Sequence, residues 1–278
     1  MLRTRLLTVA AVFPAFLLAL FYFSLSYWSA LILLLMAVAA YEWAGLFNCR
    51  QPVAISYALA AVVVAWLLCR DGTALRPSDA VTRALCIIAA VFWITVAPVL
   101  LSKRIRITGF VAPLMLGWLA LIPLWAALVK LKEFGPLFVF FAMGIIWLAD
   151  TAAYFSGRAF GKRKLASEIS PGKTVEGALG ALAVSALYAI IFMSVGQHNG
   201  TMSLSGLPLM IGGFALIAIL SIVGDLFESW LKRQHGKKDS GNLFPGHGGI
   251  LDRIDSLTST MPVVALAIMC CRSNWGIL

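Results

Sequence analysis

Four carboxylates in the C-terminal third of the chain have the spacing of a site for phosphate chemistry. Asp225 and Glu228 are three residues apart in an apolar run, which puts both on one helix face, with Ser221 and Ser229 flanking it. Asp252 and Asp255 repeat the three-residue spacing at the mouth of the last apolar run. Between the pairs lie Lys232, Arg233, Lys238 and Asp239, then Gly246, His247, Gly248 and Gly249, with Arg253 just beyond. Two acid pairs joined by a glycine-rich loop can converge on one site. A hard divalent cation such as Mg²⁺ takes one or two carboxylates and completes its shell with substrate phosphate oxygens. Glycines around His247 let the backbone approach a phosphate closely, and His247 reads as a positioning or phosphate-contacting group rather than a metal ligand. Ionised acids at a membrane boundary are costly, and four of them exceed what packing alone requires.

A second polar cluster precedes this one. Asp150 closes an apolar run and is followed by Tyr154, Arg158 and Lys162. Ser170-Pro171-Gly172-Lys173-Thr174 then leads straight into a helix, whose N-terminus is an anion site by virtue of its free N–H groups. The upstream glycine spacing of a Walker A loop is absent. His198 and His235 carry no motif, and Glu42, inside an apolar span, reads as a helix-pairing acid.

The elements that must position these residues are membrane helices. Hydrophobic residues make up 61% of the 278 and charged residues 12%, with a mean hydropathy of +0.93. This composition excludes a water-soluble enzyme, a disordered tail and a secreted disulfide scaffold. The five cysteines have neither CxxC nor metal-ligand spacing and read as small apolar residues. Apolar runs predict nine helices near 6–23, 27–47, 53–69, 84–101, 109–129, 136–156, 176–196, 207–230 and 257–271, an all-α polytopic bundle. Arg3 and Arg5 precede the first run, which has no small-residue cleavage site after it and reads as an uncleaved span.

With the N-terminus cytoplasmic, 16 of the 22 Lys and Arg fall on the inside, as the positive-inside rule requires. The net charge of +10 is then loop charge facing anionic lipid, not a nucleic-acid surface. The chain divides into N-terminal helices over 1–135 and a C-terminal region over 136–278. Cytoplasmic loops over 157–175 and 231–256 carry the polar chemistry of the second part.

At these residues the chain resembles the phosphatidate cytidylyltransferase (CDP-diacylglycerol synthase) family. That signature reads Ser-x-hydrophobic-Lys-Arg, four residues, Lys-Asp, a small residue, a hydrophobic-Pro step, His-Gly-Gly and Asp-Arg-x-Asp. It is met by Ser229, Leu231, Lys232, Arg233, Lys238, Asp239, Gly241, Phe244, Pro245, His247, Gly248, Gly249, Asp252, Arg253 and Asp255. Asp150, Tyr154, Ser170, Lys173, Thr174, Glu176 and Gly177 also match, so the resemblance covers roughly 140–256 closely.

The resemblance implies transfer of a cytidylyl group from CTP to phosphatidic acid, giving CDP-diacylglycerol and pyrophosphate in phospholipid biosynthesis, with Mg²⁺. It implies that Asp225 and Asp252 hold the metal centre, with Asp255 and Glu228 close by, and leaves open a second cation such as K⁺. Asp225, Asp252, Lys238 and His247 become the catalytic candidates. Asp150, Tyr154, Lys162, Ser170, Lys173, Thr174, Lys232, Arg233, Asp239, Gly248, Gly249 and Arg253 become the substrate-binding ones. The loop charge puts the site on the cytoplasmic side, a short chain without long cytosolic tails suits a bacterial inner membrane, and a homodimer is left open. An ion-coupled transporter would instead place its acids near mid-span in an inverted repeat. A CDP-alcohol phosphotransferase would carry an Asp-Gly-x-x-Ala-Arg motif, which is absent.

Overall fold

A computed structural model describes residues 2–69, 75–198, 204–241 and 248–275, with side chains described over 10–69, 75–198, 205–241 and 248–271. Helices α1 (Leu2–Tyr22), α2 (Leu25–Leu46) and α3 (Gln51–Leu67) are followed by α4 (Asp79–Val91). The last of these passes through one π-helical turn (Phe92–Val96) into α5 (Ala97–Ser102). Next come α6 (Val111–Phe134) and α7 (Pro136–Phe160), then strands β1 (Lys164–Ala166) and β2 (Ser170–Thr174). Helices α8 (Val175–His198), α9 (Leu207–Gln234) and α10 (Leu251–Trp275) complete the chain.

With α4 and α5 counted as one, a helix stands at each of the nine expected positions. Among the described residues seven are long and apolar enough to cross a membrane, whereas Ala10–Tyr22 and Gln51–Leu67 are shorter apolar helices. Local chemistry sets their ends. Ser24 and Ser78 accept the N–H groups of Tyr27 and Val81 and so cap α2 and α4. Proline stands in the first turn of α3, α7 and α9, where its missing N–H costs nothing. Gly135, at φ 146°, separates α6 from α7 in a single residue.

One hydrophobic core runs from α1 to α10, with Trp28, Trp93, Trp125 and Phe227 fully buried in it. Lipid supplies no hydrophobic drive between helices, so close approach of small residues holds them together. Helices α7 and α8 meet where Gly157 faces Gly177, and a Cβ on Gly180 would lie 2.0 Å from Ser156 Oγ. Helices α9 and α10 meet at Gly224, where Ser256 and Ser259 donate to the Ser221 and Leu220 carbonyls at 3.3 and 2.7 Å.

Three expectations need correction. Helix α7 runs to Phe160 rather than ending near 156, since Gly157 faces Gly177 of α8 within the helix instead of breaking it, and Asp150 lies inside it as the 136–156 span implied. The segment 157–175 is not simply a loop; it holds an antiparallel hairpin that pairs Lys164 with Thr174 and Ala166 with Ser170. The polar loop expected over 231–256 is shorter, since α9 runs to Gln234 and α10 begins at Leu251 rather than 257. Asp252 and Asp255 therefore sit inside the first turns of α10, where an acid complements the positive end of the helix dipole.

Candidate active site

The site lies at the C-terminal ends of α2, α7 and α9 and the N-terminal ends of α8 and α10. Gly224 brings α10 against α9: a Cβ there would lie 2.7 Å from the Asp255 carbonyl oxygen and 2.4 Å from Ser259 Oγ. One residue on, Asp225 Oδ1 accepts from Ser229 Oγ at 3.2 Å. Its Oδ2 lies 2.6 Å from Nζ of Lys173, which β2 carries across to α9. Asp150 on α7 joins this group, accepting from Ser221 Oγ at 3.0 Å and lying within electrostatic reach of Lys173 and Asp225.

A second group lies one turn further along α9. Glu228, 2% exposed, takes Nζ of Lys232 at 3.1 Å through Oε2. The same Nζ donates to Asp252 Oδ1 at 2.6 Å, so Lys232 bridges the two acid pairs. Oδ2 of Asp252 accepts the backbone N–H groups of Ser240 at 3.0 Å and Gly249 at 2.8 Å. Asp255 is within electrostatic reach of both Asp225 and Glu228 and so connects the two groups. The acid pairs joined by the polar loop are thus neighbours in space.

The hairpin is locked to the helices by Thr174 and Glu176. Thr174, 7% exposed, accepts the Gly177 N–H at 3.1 Å and so caps α8. Glu176 accepts the N–H groups of Lys162 and Arg163 at 3.0 and 3.1 Å and pairs with Arg163 Nε at 3.1 Å. Lys173 is thereby delivered to Asp225, with Ser170 at the other end of its strand. Lys162, Arg233, Lys238, Asp239 and Arg253 are exposed. Tyr154 is also exposed, on the surface of α7, where its hydroxyl accepts from Arg158 at 3.4 Å. His247 lies outside the described residues.

Gly248 and Gly249, read in the sequence as phosphate-approach glycines, have a role within the fold as well. Gly248 holds φ 81°, and a Cβ on it would lie 2.4 Å from Asp252 Oδ2. A Cβ on Gly249 would lie 2.2 Å from Glu42 Oε2. Glu42 was the residue whose place sequence reasoning missed. It is 6% exposed and accepts from Ser240 Oγ, Ile250 N and Leu251 N at 3.1, 3.1 and 2.9 Å. An acid within an apolar run was a visible signal, but partners some two hundred residues away were not.

Whether these groups suit a divalent cation is decided by donor chemistry. Among the described residues no three His, Cys, Asp or Glu converge into a ready cage. The donors are hard oxygens, however, and Glu228 Oε1 is buried with no hydrogen-bond partner among the described residues, beside Asp255. A Mg²⁺ ion that relies on substrate phosphates needs only one or two such carboxylates, so the residues fit.

Comparison with known proteins gives the family of the chain. Residues 3–271 match the cytidylyltransferase family. The phosphatidate cytidylyltransferase of Pseudomonas aeruginosa is 40% identical over 99% of both chains. That of Haemophilus influenzae is 34% identical over 94% of this chain and 96% of its own. That of Bacillus subtilis is 46% identical over 48% of each chain. The chain therefore belongs to the cytidylyltransferase family.

Proposed function

We infer that this protein is a phosphatidate cytidylyltransferase, which converts CTP and phosphatidic acid to CDP-diacylglycerol and pyrophosphate. The observation that carries the reading is the pair of lysine-bridged acid groups on α9 and α10, in a chain whose whole-length relatives bear that name. An oxygen of the lipid phosphate attacks the α-phosphorus of CTP. The bond from that phosphorus to the bridging oxygen breaks, and pyrophosphate leaves with the electron pair. Such transfers depend on positioning and charge neutralisation more than on covalent catalysis.

Two anionic substrates repel each other, and the protein's cations counter that repulsion. Lys173, delivered by the hairpin, and Lys232, held between Glu228 and Asp252, are the inner cations of the site. Lys162, Arg233, Lys238 and Arg253 are exposed on the segments that flank the site and are assigned to the triphosphate and the lipid phosphate. Asp225, Asp255, Glu228 and Asp252 would hold Mg²⁺, which when bound supplies Lewis-acid polarisation of the phosphate oxygens. In this reading all nine helices cross with the N-terminus inside, so this end of the bundle faces the cytoplasm of a bacterial inner membrane, where the nucleotide is available.

The test follows pyrophosphate release by the purified protein in lipid nanodiscs. Release is expected only with CTP, phosphatidic acid and Mg²⁺ together, and chelation stops it. Release without the lipid, or none from folded protein, would overturn the reading.

A further inference from the structure

We propose that Glu42, in α2, is a positioning residue for the site, clamping both flanks of the polar loop between α9 and α10. Its carboxylate is buried, and both oxygens are used. Oε1 accepts Ile250 N at 3.1 Å, while Oε2 accepts Leu251 N at 2.9 Å and Ser240 Oγ at 3.1 Å. It thus serves the opening of α10 as a capping acid supplied from a distant helix, satisfying N–H groups that a helix start leaves free. On the other flank it holds Ser240, whose N–H also reaches Asp252 at 3.0 Å. Asp252 and Glu42 therefore hold the same residue, one by its backbone N–H and the other by its hydroxyl. Lys238 and Asp239 immediately precede Ser240 in the chain, and the Asp252 that holds it is the acid paired with Lys232.

The glycines confirm how tight the clamp is. A Cβ on Gly241 would sit 2.4 Å from Glu42 Oε1, and one on Gly249 would sit 2.2 Å from Oε2 and 2.4 Å from Ser240 Oγ. Both loop flanks are glycine where this carboxylate passes. Through Glu42 the N-terminal helices set the geometry of a site that otherwise draws on the C-terminal half.

Glu42→Gln keeps the size of the side chain but places an NH₂ where one oxygen stood, so a donor faces a donor on one side. The proposal deepens the cytidylyltransferase reading and rests on it. Wild type that releases no pyrophosphate would remove that reading, whereas failure of Glu42→Gln to change an active enzyme removes only this one. In nanodiscs, Glu42→Gln is expected to lower kcat about tenfold or more, the range for a displacement under 1 Å at reacting groups. Amide hydrogen exchange in peptides covering 248–253 should quicken, and kcat of the folded fraction should fall in addition to any drop in the thermal midpoint that the buried donor–donor contact causes. Ser240→Ala, which removes one of the three donors, should lower kcat less and in the same sense, and it serves if Glu42→Gln does not fold. A purely structural role would instead lower the midpoint and leave kcat of the folded fraction unchanged. That result, or unchanged kcat in Ser240→Ala, overturns the proposal.

Discussion

Gly224→Ala separates the geometry of the site from its chemistry, because it adds one methyl group and alters no charge. In an ordinary helix interior, replacing Gly by Ala stabilises by roughly 1 kcal/mol through backbone entropy. At Gly224 the new Cβ would lie 2.7 Å from the Asp255 carbonyl oxygen, about 0.7 Å inside the 3.4 Å at which ordinary contact begins. Ser259 Oγ, at 2.4 Å, can rotate away only by leaving the Leu220 carbonyl it donates to at 2.7 Å. The backbone oxygen has no such escape, so α10 must move from α9 by several tenths of an ångström. Overpacking of this kind costs about 1–3 kcal/mol, enough to reverse the entropic gain.

The displacement falls between Asp225 and Asp255, the acids next to the contact. Misplacement of reacting groups by about 1 Å is worth on the order of a hundredfold in rate, so kcat should fall about ten- to a hundredfold. Thermal unfolding in nanodiscs and pyrophosphate release give both numbers from one preparation. A raised thermal midpoint with wild-type kcat would refute the reasoning, since the helices would then have room to spare.

Two further substitutions separate the cations. Lys232→Met strands Glu228 and Asp252 as buried acids and should cost about 3–5 kcal/mol in thermal or denaturant unfolding, with part recovered by adding Glu228→Gln. Equal loss in the single and double variants would show that the bridge is not what Lys232 supplies. Lys173→Ala removes the cation nearest Asp225 and should lower kcat/KM for CTP by about 10²-fold or more, with only a small effect on unfolding because the pair is partly exposed. Wild-type kinetics in Lys173→Ala would remove the hairpin from the mechanism.

Much of this was legible in the sequence, for identifiable reasons. Three-residue spacing places Asp225 and Glu228 on one helix face whatever the surroundings, and apolar runs of this length give membrane helices in the right places. The start of α10 was not legible, since Leu251 to Ser256 reads as polar loop unless Glu42 is known to accept the Ile250 and Leu251 N–H groups. The hairpin escaped too. Lys164–Ala166 and Ser170–Thr174 are too short and too polar to alternate, and their pairing is fixed by Thr174 at the end of β2 and Glu176 on the helix that follows. Lys173 read as one of five candidate phosphate-binding cations, and its docking against α9 beside Asp225 was not legible. Local pattern thus set the elements, whereas partners far apart in sequence set the site.

The most direct test follows label from α-phosphate-labelled CTP into lipid by wild type and by Asp252→Asn, both in nanodiscs with phosphatidic acid and Mg²⁺. In the variant one oxygen of a carboxylate that binds Lys232, Ser240 N and Gly249 N becomes an amide. The account predicts labelled CDP-diacylglycerol from wild type and at least a hundredfold less from Asp252→Asn that remains folded. Wild-type transfer by Asp252→Asn would contradict the assignment of this site.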